Sequence, residues 1–167
     1  VYKRQKWAWP HMVARIENMD PIDFTVAFKN REITIPDPER DPVLRRFVDA
    51  YQLAVSKPEP ESDKDFQRSF KHVGLNRWKD VSSQRPVEYL GRLVTNRFDS
   101  DGIGHRSVFG DSGEVLHQHI ALIRGPRMIV NYWKGPYPGD EFFYNGVFIA
   151  SSKLDALFAS SEPPAHD

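Results

Sequence analysis

The segment Glu114-Val115-Leu116-His117-Gln118-His119-Ile120-Ala121-Leu122-Ile123-Arg124-Gly125-Pro126-Arg127-Met128-Ile129-Val130-Asn131-Tyr132-Trp133-Lys134 decides how this chain is read. Two apolar runs flank a Gly-Pro pair, the chemistry of a turn, so the stretch is predicted as a β-hairpin. His117 and His119 stand two apart on its first arm, and alternation along a strand puts both side chains on one face. With Arg124 opposite Arg127, His119 faces Tyr132 and His117 faces Lys134, and Ile120, Leu122, Ile129 and Trp133 form the opposite, core-directed face. A three-residue turn at Asp111-Ser112-Gly113 adds His105 to the histidine face, opposite His119. A two-residue turn at Ser112-Gly113 sends His105 to the other side.

Working outward, turn signals recur at Asp99-Ser100-Asp101-Gly102, Asp111-Ser112-Gly113, Arg124-Gly125-Pro126-Arg127 and Lys134-Gly135-Pro136-Tyr137-Pro138-Gly139. Strand-length runs lie between them at 90–98, 105–109, 114–123, 127–133 and 141–150. The simplest arrangement is an antiparallel up-and-down meander of five strands.

Upstream, Phe24, Val26 and Phe28 alternate with polar positions, Lys29-Asn30-Arg31-Glu32 turns, and Ile33 and Ile35 resume, which predicts a second hairpin. Met12 to Ile16 reads as a further short strand. Leu44, Phe47, Val48 and Tyr51 have helical spacing behind Asp41-Pro42, predicting a helix over 42–56. A second helix is expected from Ser62, with Ser62 and Asp65 at capping-box spacing, Phe66, Phe70 and Val73 on its buried face, and Gly74 as its stop. Between the two helices, residues 57–62 form an acidic, proline-rich loop. A last short helix over about 152–160 completes an α+β reading, with one domain over 1–167. The first residue is Val1 rather than Met, and 161–167 reads as a linker, so a segment of a longer protein is expected.

The 167 residues include 11 Phe, 6 Tyr and 4 Trp, with 40% hydrophobic and 28% charged residues, a globular composition. No apolar run reaches the roughly 18 residues of a spanning helix, and no secretory leader opens the chain, so no membrane association is expected. With no cysteine, disulfides, thiolate nucleophiles and Cys-bound zinc are excluded, and a cytoplasmic location is the expectation. Formal net charge is zero, which argues against coating nucleic acid by bulk charge. Residues 66–97, however, hold seven basic and only two acidic groups.

Two kinds of site follow. On the predicted second helix, Lys64, Arg68 and Lys71 fall at i, i+4 and i+7 and make a positive ridge continuing into Arg77, Trp78 and Lys79. Such a ridge can track a phosphate backbone while Trp78 stacks on a base. The loop 134–140, with Tyr137 among prolines and glycines, is a second recognition element. Together they point to a non-catalytic recognition domain that binds nucleic acid or a protein partner, or packs on the rest of its parent chain. The other kind is catalytic. His105, His117 and His119 with Tyr132 and Lys134 suit a small phosphodiesterase or nuclease: one imidazole acts as base, one as acid, and Lys134 offsets transition-state charge. No cofactor is expected unless the three imidazoles hold a divalent metal with a water in an open position. Asp99-Ser100-Asp101-Gly102 resembles the start of a calcium loop, but the glutamate that closes such loops is replaced by Gly110.

Overall fold

A computed structural model describes residues 2–13, 25–33, 35–99, 117–139 and 142–161, with backbone alone at 2–6, 28 and 161. In chain order the elements are α1 (Tyr2–Met12), β1 (Val26–Phe28), β2 (Arg31–Ile33), α2 (Leu44–Val55), β3 (Lys71–Val73), β4 (Asn76–Ser82), β5 (Tyr89–Asp99), β6 (His119–Ile123), β7 (Ile129–Lys134), β8 (Phe142–Ala150) and α3 (Asp155–Ser161). The class is α+β, as expected.

Several elements form where local chemistry asks for them. Lys29 and Asn30 both take positive φ, 49° and 60°, the backbone of a two-residue hairpin turn, and pair β1 with β2. The Asp41 carboxylate accepts hydrogen bonds from the Val43 and Leu44 N–H groups at 2.9 and 2.8 Å, which starts α2. One face of α2 then buries Leu44, Phe47, Val48, Ala50, Tyr51 and Ala54.

Two upstream expectations are corrected. Residues 2–12, including the start of the predicted strand at Met12, are helical, and α1 carries Trp9 into the core. The second helix is not formed either. Ser62 and Asp65 do make the reciprocal capping contacts, but only the single turn Asp63–Asp65 follows. The Asp80 carboxylate accepts the Gln67 N–H at 2.8 Å and the Gln67 carbonyl accepts the Asp80 N–H at 2.7 Å, a reciprocal clamp that holds Gln67 against β4. Lys71–Val73 then pair with β4 through a Gly74-Leu75 turn, Gly74 having the φ of 59° that favours glycine. Phe70 and Val73, expected to be buried, are 44% and 45% exposed.

The main sheet has six strands in the order β3-β4-β5-β8-β6-β7. It is a meander only from β3 to β5. The last strand, β8, lies between β5 and β6, antiparallel to β5 over Gly91↔Ala150 to Asp99↔Phe142 and parallel to β6 over His119↔Asn145 to Ile123↔Ile149. Burial explains the insertion. β8 buries Asn145, Gly146, Val147 and Ala150, as a central strand does, whereas β7 leaves Val130, Asn131, Trp133 and Lys134 exposed at the sheet edge. The predicted strand 105–109 and the turn 111–113 lie outside the described residues.

α2 packs across β5 and β8 on one sheet face. Directly paired residues share a face, so this face carries Asp80, Trp78 and Asn76 of β4, Arg92, Val94, Asn96 and Phe98 of β5, Phe143, Asn145 and Val147 of β8, and His119, Ala121 and Ile123 of β6. Trp9 is wholly buried and meets Tyr51 edge-on at 5.5 Å, while Tyr132 meets Trp7 and Phe47 edge-on at 5.4 and 5.5 Å.

Candidate functional site

The hairpin forms, but its register differs from the expected one. His119 pairs with Lys134 and Ala121 with Tyr132, and a bulge between Leu122 and Ile123 absorbs the difference at a three-residue Gly125-Pro126-Arg127 loop. The faces are also inverted: the histidine face is the one that α2 covers, and Trp133 on the other face is 49% exposed. His-Ile-Ala-Leu-Ile is buried along most of its length on both sides, so alternation does not distinguish its faces.

Of the five residues read as a catalytic set, the structure brings His117, His119 and Lys134 together at one end of β6 and β7. Tyr132 belongs to the core instead: its hydroxyl accepts the Trp9 indole N–H at 2.9 Å, and burial holds its pKa above the usual phenol range. His105 lies outside the described residues. The histidines are linked by unusual backbone. Gln118 between them has φ 60°, with its N–H donating to the Tyr144 carbonyl at 2.8 Å and its carbonyl accepting the Gly135 N–H at 2.7 Å. His119 is buried and its Nδ1–H donates to the His117 carbonyl.

The His117 ring lies 4.9 Å from Phe143 and 5.8 Å from Phe98, and the Arg46 guanidinium stands 3.5 Å over the Phe98 ring. Both His117 ring nitrogens are buried without a hydrogen-bond partner. Burial first, then the nearby Arg46 and His119, hold its pKa below the ordinary imidazole value, so His117 is neutral at pH 7. Beside it, Asn76, Asn96, Asn145, His119 and Lys134 are successive partners across β4, β5, β8, β6 and β7. This polar row crosses the face between the Phe98–Phe143 pair and the Val94–Val147 pair. Sequence reading missed Arg46, Asn96 and Asn145; the signal was a polar residue at each inward-facing place beside Phe98 and Phe143. Among the described residues no three His, Asp or Glu side chains are placed to hold a metal ion.

The predicted positive ridge is dispersed. Lys64 is in the single turn before Phe66, and Arg68 follows in extended chain, its guanidinium donating to the Asp63 carbonyl at 3.2 Å. Lys71 pairs with Trp78 on β3 and β4. Trp78 points to the α2 face, where the Arg92 guanidinium lies 5.0 Å from its ring. Arg77 and Lys79 point to the opposite face, because strand alternation separates them from Trp78; α3 meets this face at Phe148, where Phe158 packs, and among the described residues it is open at Arg97 and Trp133.

That open face gathers more than the ridge offered. Arg77, Thr95, Gly146, Ile120 and Trp133 are successive partners across it, and Arg97 pairs with Tyr144 in the adjoining row. Arg77, Thr95, Arg97, Phe142 and Tyr144 line a shallow depression, with the Arg97 guanidinium 3.9 Å over the Phe142 ring. Gly146 on the same face admits no side chain, since a Cβ there would stand 2.5 Å from the Val94 carbonyl. The Tyr144 hydroxyl donates to the Pro136 carbonyl at 2.9 Å, which ties the predicted aromatic loop and its exposed Tyr137 to this face. No helix of the described residues is long and apolar enough to cross a membrane. No protein-family model matches the chain, nor does any curated protein or solved structure, so the functional reading rests on these residues themselves.

Proposed function

We propose that this domain binds single-stranded nucleic acid across the open face of its sheet. One observation carries the reading: Arg77, Lys79 and Arg97 share that face with Phe142, Tyr144 and Trp133, and the opposite face is taken by α2 and the core. Cations interleaved with aromatic rings on a sheet suit a strand whose bases are unstacked, the rings taking bases and the guanidinium groups taking phosphates. The zero net charge fits a local patch rather than a coat of charge. The hydrolytic alternative has less support, because the His119 Nδ1 is engaged by the His117 carbonyl and Tyr132 is engaged in the core by Trp9.

The test is fluorescence anisotropy with a labelled oligo-dT or oligo-U and a duplex of equal length at low salt. Saturable, salt-sensitive binding of the single strand is expected, with a large loss in an Arg77→Glu/Arg97→Glu variant that melts normally. Equal binding by the folded variant and the wild type would rule this face out.

A further inference from the structure

On the α2 side of the sheet, the polar row beside His117 combines features that a packed core does not tolerate unaided. Asn145 is 0% exposed, and neither its amide nitrogen nor its amide oxygen has a hydrogen-bond partner. A buried amide without partners costs on the order of 1–3 kcal/mol for each such group. Both His117 ring nitrogens are in the same condition, and so is Asn76 Oδ1. The sheet places these groups together. Asn145 is the neighbour of His119 on β6 and of Asn96 on β5, and Phe143, two residues before Asn145 on the same face, touches the His117 ring.

Among the described residues, charge in this place has one sign. Arg46, in the first turn of α2, lies over Phe98 and is close enough to His117 to depress its protonation, and His119 acts in the same direction. Among the described residues no carboxylate pairs with Arg46 or His117. Desolvation weighs on Arg46 as well. Water satisfies orphaned hydrogen-bond groups but leaves a half-buried guanidinium without a counter-charge. A small anion does both. Arg46 supplies a fork of N–H donors, the Asn145 amide two more, and His117 one N–H in either neutral tautomer.

We propose that Arg46, His117 and Asn145 form a binding site for a tetrahedral oxyanion of the phosphate class, either free phosphate or a terminal phosphate monoester. The site is on the sheet face opposite the proposed nucleic-acid surface and does not depend on it. Phosphate bound there accepts from all three side chains and offsets the repulsion from Arg46 and His119 that adds to burial in keeping His117 neutral.

The experiment follows thermal unfolding and the imidazole and amide NMR signals of His117 and Asn145 during titration with inorganic phosphate, against chloride at matched ionic strength. Phosphate is expected to raise the melting temperature and shift those signals in a saturable way. Arg46→Met, a change at a half-buried position, weakens binding at least about tenfold, and Lys153→Met, at an exposed position just before α3, leaves it unchanged. Asn145→Leu removes an unsatisfied amide in similar volume, so it holds or raises the melting temperature without phosphate and loses the phosphate-dependent rise. A 5′-phosphorylated trinucleotide and its 5′-hydroxyl form separate the sources. Tighter binding of the phosphorylated form than of free phosphate assigns the site to a terminal phosphate, and the reverse order assigns it to the free ion. A phosphate effect no larger than that of chloride, or one retained in full by Arg46→Met, overturns the proposal. So does a marked destabilisation by Asn145→Leu, which identifies Asn145 as already satisfied by structural water.

Discussion

Arg92 and Asp80 form a buried ion pair, Nε to Oδ1 at 2.9 Å, with side chains only 6% and 2% exposed. It joins three parts of the chain. The Arg92 guanidinium also donates to the carbonyls of Ala54, Lys57 and Pro58 at 3.3, 2.7 and 3.0 Å, closing the C-terminal end of α2 and fixing the start of the proline-rich loop. Asp80 uses its second oxygen to hold Gln67. The same loop then reaches forward, where Glu59 accepts the Ser152 N–H at 2.9 Å ahead of α3.

Removing one partner of this pair strands the other. Arg92→Met leaves a buried carboxylate and three unsatisfied carbonyls, and a loss of about 3–5 kcal/mol is expected for breaking such a pair. Urea unfolding measures it. A loss under about 1 kcal/mol would show that water replaces the guanidinium and that the pair is not structural.

Gln118 occupies a left-handed backbone position that suits glycine, with φ 60°. Gln118→Gly is expected to be neutral or to stabilise by up to about 1 kcal/mol, since relief of strain and added chain entropy oppose one another. Gln118→Val is expected to cost more than about 1 kcal/mol, because a β-branched side chain resists positive φ. If the two variants unfold at the same denaturant concentration, the left-handed turn is absent in solution.

Asp155 receives Arg124 Nε and Nη2, both at 3.2 Å, and the Gly125 N–H at 3.0 Å. The Arg124 hydrogen bond, aided by that backbone bond and by the charge of Arg124, holds the Asp155 carboxyl below its ordinary pKa against a smaller opposing effect of desolvation. Because the folded-state pKa is depressed, the contribution is complete above the unfolded value of about 3.9 and is lost as pH falls through the lowered one. Asp155→Asn therefore melts below the wild type at pH 7, and the gap closes in strong acid. A gap that persists unchanged at pH 2 contradicts the assignment.

On the open face, salt dependence separates cations from rings. Three phosphate contacts by Arg77, Lys79 and Arg97 give a log–log salt slope of roughly −2 for a single strand, and Arg97→Met reduces its magnitude by about 0.7. Trp133→Ala, at an exposed position, is expected to weaken binding by about 1–3 kcal/mol with the slope unchanged. Isotherms at several salt concentrations provide both numbers. A change of slope in Trp133→Ala and none in Arg97→Met would reverse the assigned roles.

Much of the local structure was legible in the residues. Asp41 followed by apolar residues at helical spacing specified α2, the polar stretch from Lys29 specified the first hairpin, although Arg31 and Glu32, read as turn, belong to β2, and Gly125-Pro126 specified the turn between β6 and β7. These are short-range effects of capping, backbone freedom and periodicity. Where short-range signals conflicted with a distant partner, the partner decided. Lys64 to Val73 has a passable helical pattern, but the Asp80 carboxylate holds Gln67 and the edge of β4 pairs with Lys71–Val73, so no helix continues past Asp65.

The sequence by itself determined α2, the presence of the first hairpin, the turn between β6 and β7 and an α+β composition, because each depends on residues within one or two turns of chain. Only the tertiary structure decided that β8 enters between β5 and β6, that α2 covers the histidine face, and that Arg46 and His117 both lie against Phe98. The reason is physical. An arm such as His119–Ile123, apolar toward both sides, carries no local preference for which face is core, so its register and orientation are set by the strands and helix that bury it.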